Sequence, residues 1–84
     1  MAISADVSRA QLNQQKQTTV QLLDTAEKNL KSLTRTLSHD EEAMVTQVKS
    51  YVAQSRKATG DGDFERAYNL ATKARLLSDA LINK

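Results

Sequence analysis

His39-Asp40-Glu41-Glu42 is the one cluster of metal-ligand residue types in this chain. A histidine beside three carboxylates could bind a divalent cation, provided that several of them converge on one point. Consecutive residues on a helix point around its axis, so only His39 and Glu42 share a face. Di-iron bundles draw paired glutamates and Glu-x-x-His motifs from several helices. Here Thr36 stands three before His39, and no such motif occurs. Ser38 supplies a simpler account. Ser38-His39-Asp40-Glu41 is a capping box: the Ser38 hydroxyl accepts from the Glu41 amide, and the Glu41 carboxylate reaches back to the Ser38 amide. Asp40, Glu41 and Glu42 then occupy a first helical turn, where the helix dipole favours negative charge.

Asp61-Gly62-Asp63 is the second candidate, as the start of a calcium loop. Counted from Asp61, the sixth place needs glycine and holds Arg66; the twelfth needs glutamate and holds Thr72. A turn followed by a helix cap explains the segment instead. The chain has no cysteine, so it carries no thiolate ligand or thiol nucleophile. Its serines have no partner base by pattern: the single histidine sits in a helix's first turn, and no strand-turn-helix elbow exists. The only two glycines, Gly60 and Gly62, share one turn, so no glycine-rich phosphate loop exists. These residues predict no enzyme, no cofactor, and no catalytic or metal site.

The elements around these segments read as helix throughout, and the chain contains no proline. At 84 residues it makes one domain, of a size that buries only about 60% of its unfolded surface. Helix one is expected over 8–37, with 1–7 frayed. Leu23, Leu30 and Leu37 recur every seventh residue, with Ala26 and Leu33 between them, which gives one apolar stripe. Leu12 and Thr19 extend that seam, but the row beside it holds Arg9 and Lys16, and residues 4–19 are polar nearly all round. That stretch reads as a flexible linker or as a helix awaiting a partner. Helix two is expected over 39–59, with Met44, Val45, Val48, Tyr51, Val52 and Ser55 inward. Gly60 reads as its left-handed stop. Asp63 caps helix three, over 64–82. Its inner face carries Phe64, Ala67, Ala71, Ala74, Leu77, Ser78 and Leu81, flanked by Tyr68 and Leu70. Short connections make neighbours antiparallel, so the fold class is all-α: a three-helix up-down-up antiparallel bundle with a long first helix. The expected core is Leu23, Leu30, Leu33, Leu37, Val48, Tyr51, Val52, Phe64, Ala67, Ala71 and Ala74. On this reading Leu30→Ala costs about 2–5 kcal/mol.

Gly62-Asp63-Phe64-Glu65-Arg66-Ala67, followed by Ala71 and Ala74, resembles the second half of a tetratricopeptide repeat. That family has a Gly-Asp-aromatic turn, then small residues at matching intervals. Tyr51 and Ser55 fall where its first helix carries an aromatic and a small residue. Ala58 departs from the usual tyrosine, and no proline follows helix three. The resemblance covers residues 48–81, in one copy, whereas such solenoids stack about three or more repeats. It implies shared hairpin geometry and a scaffold for binding partners, rather than a repeat array. The whole chain looks, more loosely, like helical segments of bacterial envelope proteins.

Charge narrows the partners. The net charge is +2, with twelve basic and ten acidic residues interspersed, unlike the concentrated basic face of a nucleic-acid binder. One phenylalanine, two tyrosines and no tryptophan leave little for stacking on bases. No apolar run is long enough to span a membrane, and residues 1–10 lack the apolar stretch of a signal peptide. The expected compartment is the cytoplasm, or the bacterial envelope or periplasm if a signal was removed. The function expected is a non-catalytic helical interaction or assembly module within a larger protein. The alternatives are a self-associating coiled-coil element, or a weak binder of nucleic acid or anionic surfaces through Lys28, Lys31 and Arg35.

Overall fold

Three helices carry the chain: α1 (Ala2–Lys31), α2 (His39–Gly60) and α3 (Phe64–Ile82). The structure is a computed structural model that describes the backbone of residues 2–83 and the side chains of residues 9–83. Helical backbone thus begins at Ala2, where fraying through residue 7 was expected; Met1 lies outside the described residues. The chain is an all-α bundle, and the described residues contain no strand.

Directions follow from contacts between helices. Lys16 lies over the ring of Phe64, and Asn29 reaches Ser78 and Asp79, so α1 and α3 run parallel. The Ser55 hydroxyl donates to the Ala67 carbonyl at 2.6 Å near the α2–α3 turn. At the other end of the bundle, the loop residue Arg35 joins Glu41 of α2 to the Leu81 carbonyl of α3. Hence α2 runs against α3, and the order is up-down-up. The molecule is 56 Å long, while α2 at about 1.5 Å per residue is only about 33 Å. Most of the excess comes from α1, whose stretch 2–15 adds about 21 Å.

The turn between α2 and α3 differs from the sequence reading in one respect. Gly60 is the last helical residue, and Asp61 is still right-handed, with φ −83° and ψ −3°. The left-handed residue is Gly62, at φ 81°. The Gly62 amide donates to the Thr59 carbonyl at 3.1 Å, and the Asp63 amide to the Ala58 carbonyl at 2.9 Å. These two bonds form a Schellman motif around Gly62. Asp63 then accepts from the Arg66 amide at 3.3 Å and caps α3. One residue closes the first helix and the next opens the second, which holds the hairpin tight.

The α1–α2 connection differs more. Helix one stops at Lys31 and not at residue 37. Ser32 turns its hydroxyl onto the Asn29 carbonyl at 2.7 Å, and the Leu33 amide bonds only three residues back, to Leu30, at 3.2 Å. Serine and the β-branched Thr34 and Thr36 favour such local alternatives to helix. The reversal into α2 also needs slack before the extended cap residue Ser38. Leu33 and Leu37 are therefore loop residues. Both are half-buried, and Leu33 packs under the core.

The main core joins Leu23, Ala26, Val48, Val52, Ala71, Ala74 and Leu81. A smaller cluster of Ala58, Ala67 and Leu70 lies under the α2–α3 turn and meets the first through Tyr51. Of the expected core, Leu30, Leu33, Leu37, Tyr51 and Phe64 are only half-buried. Leu81 and Ala26 are wholly buried, as are the polar Ser55 and Ser78. These hydroxyls sit in an alanine-rich interior because each finds a carbonyl: Ser55 that of Ala67, and Ser78 that of Arg75 at 2.8 Å.

Candidate functional site

The residues first nominated for chemistry are occupied with structure. Ser38 and Glu41 form the expected capping box: the Glu41 amide donates to Ser38 Oγ at 3.2 Å, and the Ser38 amide to Glu41 Oε1 at 3.0 Å. Arg35 adds a fork the sequence did not reveal, donating to Glu41 Oε1 at 3.0 Å and Oε2 at 2.6 Å. Its hydrogen bonds, with that of the Ser38 amide, hold the Glu41 carboxyl down at about 2, and the same pairing raises Arg35 above its ordinary value. His39, Asp40 and Glu42 are exposed and do not join Glu41 there. Among the described residues no three histidine or carboxylate side chains gather as a metal site. Asp63 is spent on the cap of α3, and Asp61 is exposed.

The three bases considered for anionic partners are not one stripe. Lys28 and Lys31 are exposed in the last turn of α1. Arg35 belongs to the following loop, where Glu41 and the Leu81 carbonyl hold it.

What the fold does create is an open seam. Both α1 and α2 lie along α3, yet they scarcely touch one another. Two recesses follow one another along the gap. The first, of about 390 Å³, lies at the α2–α3 turn end over Leu23, Phe64 and Ala67. Val20, 56% exposed, forms its lip. The second, of about 330 Å³, is lined by Leu30, Val52 and Ala53. Between them an ion pair from Arg56 of α2 to Glu27 of α1 crosses the gap. Lys16 stands at one end, its ammonium 4.2 Å from the Phe64 ring centroid. Lys31 and Lys49 flank the other end, with no carboxylate partner among the described residues. The edges therefore hold four bases, Lys16, Lys31, Lys49 and Arg56, against two acids, Asp24 and Glu27. One of those acids, Glu27, is already paired.

The seam offers apolar surface and positive charge, but no nucleophile–base pair within it. Sequence reasoning missed it because a stripe at helical spacing marks the inner face without saying which neighbour it meets. Val20, one step off the stripe, was the available signal. No helix of the described residues is long and apolar enough to cross a membrane. No family model, curated protein or solved structure matches this chain.

Proposed function

We propose that the chain is a non-catalytic helical interaction module, one part of a larger protein, and that it binds its partner along the seam between α1 and α2. The observation that carries this reading is the pair of apolar recesses in line between two helices that do not close on each other. A helix laid there buries apolar surface on both sides and completes a four-helix arrangement, the helix-in-groove mode of recognition. From Lys16 to Lys31 the seam runs about 22 Å, or about four turns of a docked helix. We take α2 and α3 as a tetratricopeptide-type hairpin serving as the rigid wall. The Gly62 turn, the Asp63 cap and the ridge of Ala67, Ala71 and Ala74 support that reading.

The test is a titration of the isotopically labelled protein with a helical peptide of about 16 residues, roughly 24 Å long. The peptide carries leucines at i and i+7, alanine between them, and uncharged glutamine flanks. Resonance shifts confined to Val20, Leu23, Leu30, Val52 and Ala53 are expected. Shifts on another face, or none, contradict the proposal.

One observation favours a second reading, self-association as a coiled coil. The stretch 2–11 of α1 continues past the α2–α3 turn, and Arg9, Ala10 and Gln11 are exposed there. Sedimentation of the free protein decides it: a concentration-dependent dimer supports pairing, and a monomer at high concentration rejects it.

A further inference from the structure

The charges around the seam select among helices. The geometry points to an amphipathic helix of another protein, with two apolar anchors about two turns apart and acidic residues along both flanks, as the occupant of the α1–α2 seam. This inference rests on the docking reading above and adds the partner's chemistry.

The spacing of the anchors comes from the two recesses. Val20 and Leu23 mark the first along α1, and Leu30 marks the second. Seven residues separate Leu23 from Leu30, which is about 10 Å of helix. A partner helix lying along α1 reaches both recesses with large apolar residues at i and i+7. Midway it passes the Glu27–Arg56 ion pair, which spans the gap, so a small residue such as alanine belongs there.

The flanks come from the edges. Lys31 on α1 and Lys49 on α2 face each other across the second recess. Neither has a carboxylate partner among the described residues. A docked helix places one flank toward each. Lys16 and Arg56 border the first recess. A partner with lysine flanks brings like charges together over apolar surface, where water no longer screens them fully. A partner with glutamate flanks meets three lysines against one acid, Asp24, since the Arg56 guanidinium and Glu27 already pair with each other.

A second copy of this chain is a poor occupant on the same grounds. The segment of α1 that continues past the bundle, 2–15, carries one acid and one base, Asp6 and Arg9. It therefore brings no acidic flank to the lysines. In the acidic first turn of α2, Glu41 is held by Arg35 and the Ser38 amide, and the exposed Asp40 and Glu42 sit together at one helix end rather than along two flanks.

The experiment uses the full chain and three peptides of one apolar register, flanked by glutamate, glutamine or lysine. Affinity is read by fluorescence anisotropy at low and high salt. Several exposed pairs acting together favour the glutamate peptide over the lysine peptide by about tenfold or more, and salt narrows the gap. The double variant Lys31→Glu with Lys49→Glu, both positions exposed and outside the core, reverses the order. A melting curve confirms that it remains folded. Equal binding of all three peptides at the seam overturns the acidic preference and leaves the docking reading standing. Binding of none overturns both. A free protein that already dimerises through the seam assigns it to a second copy and overturns the inference.

Discussion

The α2–α3 seam is closed and the α1–α2 seam is open, although all three helices carry an apolar stripe. Along the closed seam the facing residues are short. Ser55, Ala67, Ala71 and Ala74 are all but fully buried, and the Ser55 hydroxyl touches the Ala67 carbonyl. Such residues let helix axes approach to the near end of the usual range of about 8–10 Å. Along the open seam the facing side chains are long. Glu27 and Arg56 meet through their charged ends, and Lys16, Lys31 and Lys49 stand along the edges. In this comparison small buried residues accompany the pair of helices that closes, and long charged ones stand along the pair that does not.

The largest expected effect lies in the closed region. Leu81, wholly buried in the core it shares with α1 and α2, is expected to lose about 2–5 kcal/mol on Leu81→Ala. Leu30, half-buried on the wall of the open seam, is expected to lose only about 1 kcal/mol on Leu30→Ala, since it leaves no enclosed cavity. That lowers the cost expected from the heptad pattern alone. Urea unfolding of the two variants gives both numbers, and equal losses remove the distinction between the seams.

Next is Ala71→Leu, which inserts bulk where the close approach allows none and is expected to cost about 1–3 kcal/mol. Its thermal midpoint falls well below that of Val20→Leu, a change at the exposed lip expected to stay within about 0.5 kcal/mol.

The hairpin turn sharpens the comparison at the level of backbone. Gly62→Ala forces a side chain into a left-handed conformation and is expected to cost about 1–2 kcal/mol. Gly60→Ala meets open space at a helical position and is expected to gain up to about 1 kcal/mol. Opposite signs in chemical denaturation bear out Gly62 as the conformational stop.

The gentlest effect is acid. The Glu41 carboxyl titrates at about 2 in the fold, below its ordinary value of 4.5. Folding therefore binds the ionised form better. This contribution is complete above pH 4.5 and is lost as pH falls from there toward 2. Glu41→Gln removes that part of the acid-dependent fall in thermal midpoint, whereas Glu27→Gln at the exposed bridge leaves it in place.

Much of this architecture was legible from residue types. Ser38 and Glu41 announced the start of α2, Asp63 announced that of α3, and the inner faces of both follow from spacing. Three features were less legible, for physical reasons. The end of α1 at Lys31 depends on a serine and two threonines whose helical cost is small enough for tertiary structure to decide. The choice of Gly62 over Gly60 depends on which residue the Schellman bonds enclose, and both glycines fit the pattern. The Arg35–Glu41 fork follows only once the loop is known to fold back on α2. The open seam was hidden for a deeper reason. Leu23 and Leu30 both read as core by period, yet Leu23 is buried and Leu30 only half-buried, because the period says nothing of how closely α2 approaches each of them.

The most direct test of the open seam compares two single variants for binding of the glutamine-flanked peptide. Ala53→Arg fills the second recess from α2. Leu76→Arg changes a residue 62% exposed on α3, outside both recesses. Loss of binding in Ala53→Arg by about tenfold or more, with affinity unchanged in Leu76→Arg, is the predicted result. Unchanged binding in Ala53→Arg, or loss only in Leu76→Arg, contradicts the account.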